Sequence, residues 1–161
     1  MRRKDREITD KEGLLAILQD CAVCRLGLSV ENRPYVVPLN FGYSWKEHEP
    51  LRLFFHSAPK GTKLDMLSKN DLACFEMDCG HQLLGQGSAC GYSFAYASII
   101  GWGRVTLLTE TEEKRRALSK IMERQAGPGS YTFGEKELAQ VAVLCLTAQE
   151  ITGKKNPTKT A

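Results

Sequence analysis

The sequence predicts a single, mainly β domain with a few helices, in which the strands form a small β-barrel and the helices lie outside it. The chain has 161 residues, of which 42% are hydrophobic, and this suits one compact core. Alternation typical of strands recurs in about six segments, whereas helical periodicity is confined to short stretches. Closure into a barrel would remove the edges that an open sheet of these strands exposes.

Composition sets the expected partners and location. The formal net charge is +3 and 25% of the residues are charged, so charge alone does not predict a nucleic-acid binder. The only apolar run after the charged N-terminus is Leu14 to Leu18, which is too short for a signal peptide or a membrane span. We therefore expect one cytoplasmic domain over residues 1–161, with a basic tail at about 152–161, that binds neither nucleic acid nor membrane.

The first third of the chain predicts a helix and then a strand pair. Thr9 and Glu12 have the spacing of a capping box, which predicts that a short helix begins there. A strand follows over AVCRLGLSV, a turn over ENRP, and a second strand over YVVPLNFGYSW, in which apolar and other residues alternate. Pro38 in this second strand cannot donate to a ladder, so we expect the strand at an edge or a bulge.

The middle of the chain continues the same pattern. LRLFFHSA predicts a third strand, and GTKLDMLSKN predicts a short helix capped by Thr62 with Asp65 at the matching position. LACFEMDC predicts a further strand. The residues from Gly80 to Gly91 are rich in Gly, Ser and Gln, which predicts a long loop.

The longest predicted strand is SFAYASIIGWGRVTLLT, and its two glycines indicate a bulge or sharp coiling. A helix is predicted after it, opened by Thr109 and Glu112 and turning Ala117, Leu118, Ile121 and Met122 inward. The final strand is predicted over VAVLCLTAQEI. In the longest strand, the face predicted to line the barrel is Ala95, Ala97, Ile99, Gly101, Gly103, Val105 and Leu107, and the outward face is Phe94, Tyr96, Ser98, Ile100, Trp102 and Arg104.

The six cysteines predict no disulfide framework and no metal site. A chain of this kind in the cytosol keeps its thiols reduced, so buried thiols are the default. The pair Cys21 and Cys24 falls in what we predict to be a strand, where positions three apart point to opposite faces and cannot grip one metal. We expect inert core thiols and no bound metal.

The stretch FFHSAPKGTKLDML concentrates positive charge at a predicted helix start. Lys60 and Lys63 there oppose the helix macrodipole by about 0.3–1 kcal/mol each unless an anion lies between them. With Ser57, Gly61 and free helix amides they form a candidate phosphate site, although two solvated lysines on a turn are an equally good interpretation. Strand alternation turns His56 outward, beside this segment.

No other catalytic motif is present. The chain lacks the GxSxG and HExxH patterns, and GQGSACG has no flanking strand and helix of a dinucleotide motif. Thiols are the only redox-active side chains, so any electron chemistry requires a cofactor.

Four segments in this order resemble one family. VVPLNFGY, LFFHSAPKGTKLDML, YASIIGWGRV followed by EEKRRAL, and EITGKK are similar to the nitroimidazole-resistance branch of the pyridoxamine 5'-phosphate oxidase-like flavoproteins. The resemblance runs from about Arg2 to Lys155. It implies a split β-barrel that binds FMN at a two-fold dimer interface, with each site built from both protomers.

The resemblance also implies the site residues. The flavin ring is expected against Val37, Pro38, Leu39 and Asn40, and the phosphate against Ser57, Lys60, Gly61 and Lys63. Phe55 and His56 belong to the same pocket, and His56 is the expected proton donor or substrate contact. Tyr96, Ala97, Ser98 and Ile99 are expected to contribute from the same or the partner chain.

The resulting functional prediction is an FMN-dependent reductase of small molecules, nitroimidazole-type compounds among them. Alternatives are a flavin carrier, sensor or store without turnover, and a related barrel that holds haem through His56 and His81. Oxidation of vitamin B6 is not expected, because the arginine-rich motifs of true pyridoxamine phosphate oxidases are missing. A homodimer is predicted from the family and from the bulky outward face around Trp102, which could instead lie under the second long helix.

Overall fold

The structure, a computed structural model, describes residues 3–156 as one antiparallel sheet with helices packed against it. The strands are β1 Glu7–Ile8, β2 Cys24–Val30, β3 Arg33–Leu39, β4 Gly42–Ser44, β5 Arg52–Ser57, β6 Leu72–Leu84, β7 Ser93–Leu108 and β8 Ala142–Asn156. The α-helices are α1 Lys11–Asp20, α2 Thr62–Leu67, α3 Thr111–Ala126 and α4 Glu135–Ala139, and the 3-10 turns are Lys4–Arg6 and Ala89–Gly91.

The strand order shows a split barrel and not a closed one. The order is β3-β2-β6-β7-β8-β5-β4, with β1 added beside β8, and among the described residues β3 and β4 share no ladder. The expected full closure is therefore wrong, and the mainly β split-barrel class is confirmed. Pro38 lies in the edge strand β3, as its missing N–H predicts.

Two hydrophobic clusters hold the fold. The larger one fills the barrel with fully buried side chains such as Phe41, Phe55 and Phe75. The smaller one lies outside the barrel, where α3 and α4 cover the outer face of β5 and the start of β8. Burying side chains of this size stabilises the fold by about 1.5–3 kcal/mol each, so both layers contribute.

The predicted alternation in the longest strand is confirmed from Phe94 to Val105. The glycines allow a register shift between Trp102 and Gly103, because a Cβ on Gly103 would lie 2.2 Å from the Thr147 carbonyl oxygen. Leu107 is the exception, since it was expected inside but is exposed. Leu107 pairs with Leu144 of β8 and points to the same face of the sheet. It is exposed because β7 extends beyond the part of the barrel that is filled by the core.

The predicted helix caps are wrong by one residue. Asp10 and not Thr9 caps α1, and its carboxylate accepts the Gly13 N–H at 2.7 Å. Gly61 precedes α2 without a side-chain cap, so Thr62 is the first helical residue. Helix α3 begins after Glu110, not Thr109. Sequence spacing located the start of each of these helices to within one residue but did not identify the N-cap residue.

Two predicted irregular segments are partly strand. β6 continues through a bulge near Gly80 to Leu84, so the first five residues of the expected loop from Gly80 to Gly91 belong to the strand. β8 extends to Asn156, so residues 152–156 of the expected basic tail pair with β7 and only 157–161 lie outside the described residues. The short strand β1 and helix α4 had not been predicted at all.

Between residues 3 and 156, none of the helices has both the length and the hydropathy needed to cross a membrane.

Candidate functional site

The candidate site begins where β5 ends. His56 opposes Val143 of β8 and turns outward on the same side as Arg52 and Phe54, as alternation predicts. Phe54 is buried in the smaller cluster beneath α3, whereas His56 lies one position beyond the cover and is exposed. Phe55 points the other way and is fully buried in the barrel, so its side chain is part of the core.

The turn after His56 leaves its backbone open to a ligand. Ser57 Oγ donates to the Ala58 carbonyl oxygen at 2.9 Å, which fixes the start of the turn. Gly61 has φ 136°, a conformation that side chains rarely adopt, and a Cβ built there meets nothing within 4 Å. The space above Gly61 is therefore free for a group that approaches the backbone.

The two lysines of this turn have no anionic partner among the described residues. Neither Lys60 nor Lys63 takes part in an ion pair with a described carboxylate. Lys63 is half-buried, and burial lowers its pKa because the charged ammonium is poorly solvated there. An anion beside Lys63 would offset that loss of solvation.

β3 runs beside this segment and presents only part of the predicted flavin contacts. Pro38 and Asn40 are exposed, whereas Val37 and Leu39 face the barrel and are half-buried. An open groove of about 500 Å³ lies between the β2–β3 hairpin and α2, and its lining includes Tyr35 of β3 and Thr62 of α2. Of the phosphate segment only Thr62 borders this groove, and neither the two lysines nor residues 37–40 line it.

The other predicted contacts lie at the far end of the sheet. His56 opposes Val143 and Tyr96 opposes Asn156, so the two are separated by nearly the whole of β8. At about 3.3 Å per residue this is roughly 40 Å of strand. Within β7, Tyr96 and Ser98 turn outward, whereas Ala97 and Ile99 face the core.

Tyr96 lies in a cationic environment. Lys154 Nζ is 5.6 Å from the centre of its ring, and hydrogen bonds from Lys154 and then Arg6 lower the pKa of the phenol. An anionic or electron-rich group near this end of β7 would be favoured. His81 is close by and pairs with Asp78 at 2.6 Å, so it lies at the Tyr96 end of the sheet and does not share a pocket lining with His56.

An uncovered surface lies between these two regions, on which large apolar side chains stand beside the ion-paired Arg25, Glu76 and Asp78. Val36, Cys74 and Trp102 stand in one cross-strand row over β3, β6 and β7, with Gly27 of β2 in the row and Ile100 beside it. We call this surface the exposed sheet face. Val36 is 63% exposed and Trp102 42%. Helix α3 packs on β4, β5 and β8 instead, so it does not cover this surface.

Sequence reasoning missed an apolar cavity beside His56. It lies between β5, α3 and α4, and its volume is about 260 Å³. The inward turn of Leu118 and Ile121 was predicted, but the opposite wall needed α4, whose five residues carry too little periodicity to identify. A capping pattern of Gly134 and Glu137 was the signal available.

The expectation of buried thiols holds only in part, because Cys21, Cys24 and Cys145 are buried, Cys74 and Cys79 are half-buried and Cys90 is exposed. The reason given for Cys21 and Cys24 also needs correction. Cys21 is the last residue of the α1 turn and not part of the strand, and its side chain packs in the same core as Cys24. Burial raises the pKa of both thiols, that of Cys24 to about 12. Both are therefore protonated near neutral pH and unreactive.

Comparison with known proteins identifies the family. Residues 10–155 match the family model of pyridoxamine 5'-phosphate oxidase. A provisionally assigned 5-nitroimidazole antibiotic resistance protein from Bacteroides thetaiotaomicron is 33% identical, with a TM-score of 0.80 over 92% of this chain and 86% of that chain. No curated protein matches the chain in sequence.

Two more distant structures share the fold. The flavocytochrome Anf3 from Azotobacter vinelandii is 21% identical, with a TM-score of 0.80 over 98% of this chain and 72% of that chain. The FAD and haem binding protein from Mycobacterium smegmatis is 20% identical, with a TM-score of 0.80 over 97% and 77%. The chain therefore belongs to the pyridoxamine 5'-phosphate oxidase family and has its flavin-binding split-barrel fold.

Proposed function

We propose that this protein is an FMN-dependent reductase of small molecules, including nitroimidazole-type compounds, that works as a homodimer in the cytoplasm. The observation that carries the proposal is the half-buried, unpaired Lys63 beside Lys60 at the end of β5, next to the exposed His56. The 33% identical Bacteroides protein, provisionally assigned to nitroimidazole resistance, supports the substrate class.

The residues after His56 fit a flavin phosphate. Lys63 and Lys60 supply charge-assisted donors, and the open approach to Gly61 lets a phosphate oxygen reach the backbone. The FMN phosphate would restore the electrostatic stabilisation that burial removes from the Lys63 ammonium. Ser57 contributes by its hydroxyl, which has acceptor capacity left after donating to Ala58.

The flavin ring would lie against the exposed end of β3. Pro38 and Asn40 present their side chains there, and Val37 and Leu39 contribute backbone because their side chains face the barrel. Phe55 supports the site from inside the core. Pro38 leaves this part of the edge strand without a ladder donor, so the surface stays free for a planar ligand.

A second protomer would complete each site. Tyr96 and Ser98 lie at the opposite end of β8 from His56, which supports a site that takes these groups from two chains. A two-fold dimer over the exposed sheet face would bury Trp102 and Ile100 and carry the far end of β7 to the partner's site. The exposed sheet face and the divided site support the same assembly.

The chemistry divides between cofactor and chain. Bound FMN would supply the electrons. His56 would hold or donate a proton at its imidazole, which is exposed on the open side of the site. The turn from Ser57 to Lys63, with its two lysines, would hold the cofactor phosphate during the reaction.

The first experiment is the absorption spectrum of the purified protein after FMN loading. We expect bands of oxidised flavin, and no bound chromophore after loading, or a Soret band, would contradict the proposal. Anaerobic reduction followed by a nitroimidazole should reoxidise the flavin. If no member of a panel of nitro compounds and quinones does so, the protein binds flavin without turnover.

A matched pair of histidine variants tests the proton donor. His56→Asn should keep FMN affinity within about twofold and slow nitroimidazole reduction by about a hundredfold, since general acid catalysis contributes about 10²–10⁴. His48→Asn is the control, because His48 is exposed in a distant loop and asparagine tolerates its φ of 62°. Equal rates in both variants would remove His56 from the mechanism.

A further inference from the structure

The apolar cavity beside His56 has walls from two helices and the loop between them. Its volume is about 260 Å³, and the smaller hydrophobic cluster forms its floor. Six of its lining side chains are apolar and two are polar. The apolar ones are Leu118, Ile121, Met122, Phe133, Leu138 and Val141, and the polar ones are His56 and Glu137.

The walls are fixed by basic residues of α3. Lys114 donates to the Leu138 carbonyl oxygen and Arg115 donates to the Phe133 carbonyl oxygen. Within the loop, the Tyr131 hydroxyl donates to the Gly127 carbonyl oxygen at 2.7 Å. These bonds tie α4 and the preceding loop to α3 in the ligand-free chain. A cavity formed in advance binds a small molecule without the entropy cost of ordering its walls.

The polar rim restricts what enters. The Glu137 carboxylate is held by the Gly134 N–H at 2.6 Å, so a negative charge is fixed at one side of the mouth. The His56 side chain makes no hydrogen bond or ion pair with the described residues and can exchange one hydrogen bond with a ligand. Apolar walls and a fixed carboxylate disfavour anions and favour an uncharged ring.

We propose that this cavity is the substrate-selecting pocket, which takes an uncharged, single-ring aromatic molecule and presents its polar substituent to His56. The inference deepens the proposed function and rests on it, because His56 lies between the cavity and the Ser57–Lys63 turn. Met122 and Phe133, the half-buried walls, set the size of ring that is accepted.

Methionine methyl resonances report occupancy directly. The chain has four methionines, of which Met122 lines the cavity and Met77 is fully buried in the barrel. In FMN-loaded protein with ¹³C-methyl methionine, nitrobenzene should shift the Met122 signal and leave Met77 unchanged. Benzoate, of similar size but anionic, should shift Met122 at least about tenfold more weakly at equal concentration.

A filled cavity gives the second test. Met122→Trp should raise the KM for nitrobenzene reduction by about tenfold or more, leaving FMN affinity within about twofold, because one ring-sized group already occupies the pocket. Gln125→Trp is the matched control on the same helix, since Gln125 is exposed and borders no described cavity. It should leave both quantities unchanged.

The outcomes separate this inference from the proposed function. FMN binding with no nitrobenzene-induced shift of Met122, or a normal KM in Met122→Trp, overturns the pocket and leaves the flavin site standing. A shift of Met122 in protein that fails to bind FMN supports the pocket as a binding site for neutral rings and overturns the reductase.

Discussion

The barrel has two outward faces, of which one is covered by helices and the other is exposed. The outer face of β5 and β8 is covered by α3 and α4, which bury Phe54, Val143 and Leu108 in a second cluster. The outer face of β3, β6 and β7 carries side chains just as large, including Ile100 and Trp102, and nothing in the described chain covers it. Alternation decides which way a side chain points, whereas a neighbouring element decides whether it is buried. We attribute the missing cover to a second copy of the chain.

The largest expected effect is on the bare face. Trp102→Lys should weaken dimerisation by about 4 kcal/mol, because two copies of the side chain lose a burial of about 2 kcal/mol each across a two-fold axis. The folded protomer should survive, since Glu150 opposes position 102 and can pair with the lysine. Sedimentation velocity over a concentration series measures the change.

Leu107→Lys is the control for that experiment. Leu107 is on the same strand and 54% exposed, but it lies beyond the row of Val36, Cys74 and Trp102. It should dimerise like the parent. If Trp102→Lys also dimerises normally, the exposed sheet face is not the interface.

Substitutions on the face that α3 and α4 cover should lower the free energy of unfolding of the protomer and not the affinity of the dimer. A Cβ on Gly42 of β4 would lie 2.4 Å from the Ile121 backbone nitrogen in α3, so Gly42→Ala forces the helix away and should cost about 3 kcal/mol. Gly27→Ala on the bare face has 3.5 Å to its nearest atom in the protomer and should change unfolding by less than about 0.5 kcal/mol. Urea denaturation compares them, and equal losses would show that cover does not distinguish the two faces.

The next prediction concerns Lys63 in the turn from Ser57 to Lys63. Lys63→Ala should weaken FMN binding by about 2 kcal/mol, or roughly thirtyfold, through loss of a charge-assisted phosphate contact, and Lys63→Arg should retain most of it. Lys136→Ala, which removes an exposed lysine of α4, serves as control. Fluorescence titration with FMN gives the affinities, and equal values for parent and Lys63→Ala would contradict the phosphate site.

A smaller effect follows from the lowered pKa of Lys63. Phosphate binding requires the ammonium form, and burial places the pKa below the usual 10.5. FMN affinity should therefore be full at pH values below the depressed pKa and should fall by a few-fold as the pH rises through it. Lys63→Arg should show no such fall over the same range, because its guanidinium stays charged. A flat profile for the parent protein would show that Lys63 does not contact the phosphate.

The sequence was sufficient where local periodicity controls the outcome. The inward and outward residues of β5 and most of β7 follow from alternation, and Pro38 correctly marked an edge strand. Leu107 and the strand continuation past Gly80 failed because tertiary pairing decides where a ladder ends. Cys21 was placed on the wrong element because CAVC spans a helix end and a strand start.

The sequence predicted which residues belong to the site but not all of their positions relative to one another. His56, Lys60 and Lys63 follow one another in the chain, so their proximity was available from sequence. The separation of Tyr96 from His56 depends on the register of β7 on β8, which no local pattern contains. The cavity wall from α4 was missed because a five-residue helix carries too little periodicity to be predicted.

The central claim is that each flavin site takes one half from each protomer. Dimers should be co-expressed from two variants, Lys63→Ala in one chain and Ser98→Trp in the other, and isolated with two different tags. Each homodimer should bind FMN poorly, whereas the mixed dimer has one intact site and should bind about one FMN per dimer with parental affinity. If the mixed dimer binds no better than either homodimer, the two groups do not meet across the interface, and the divided site is wrong.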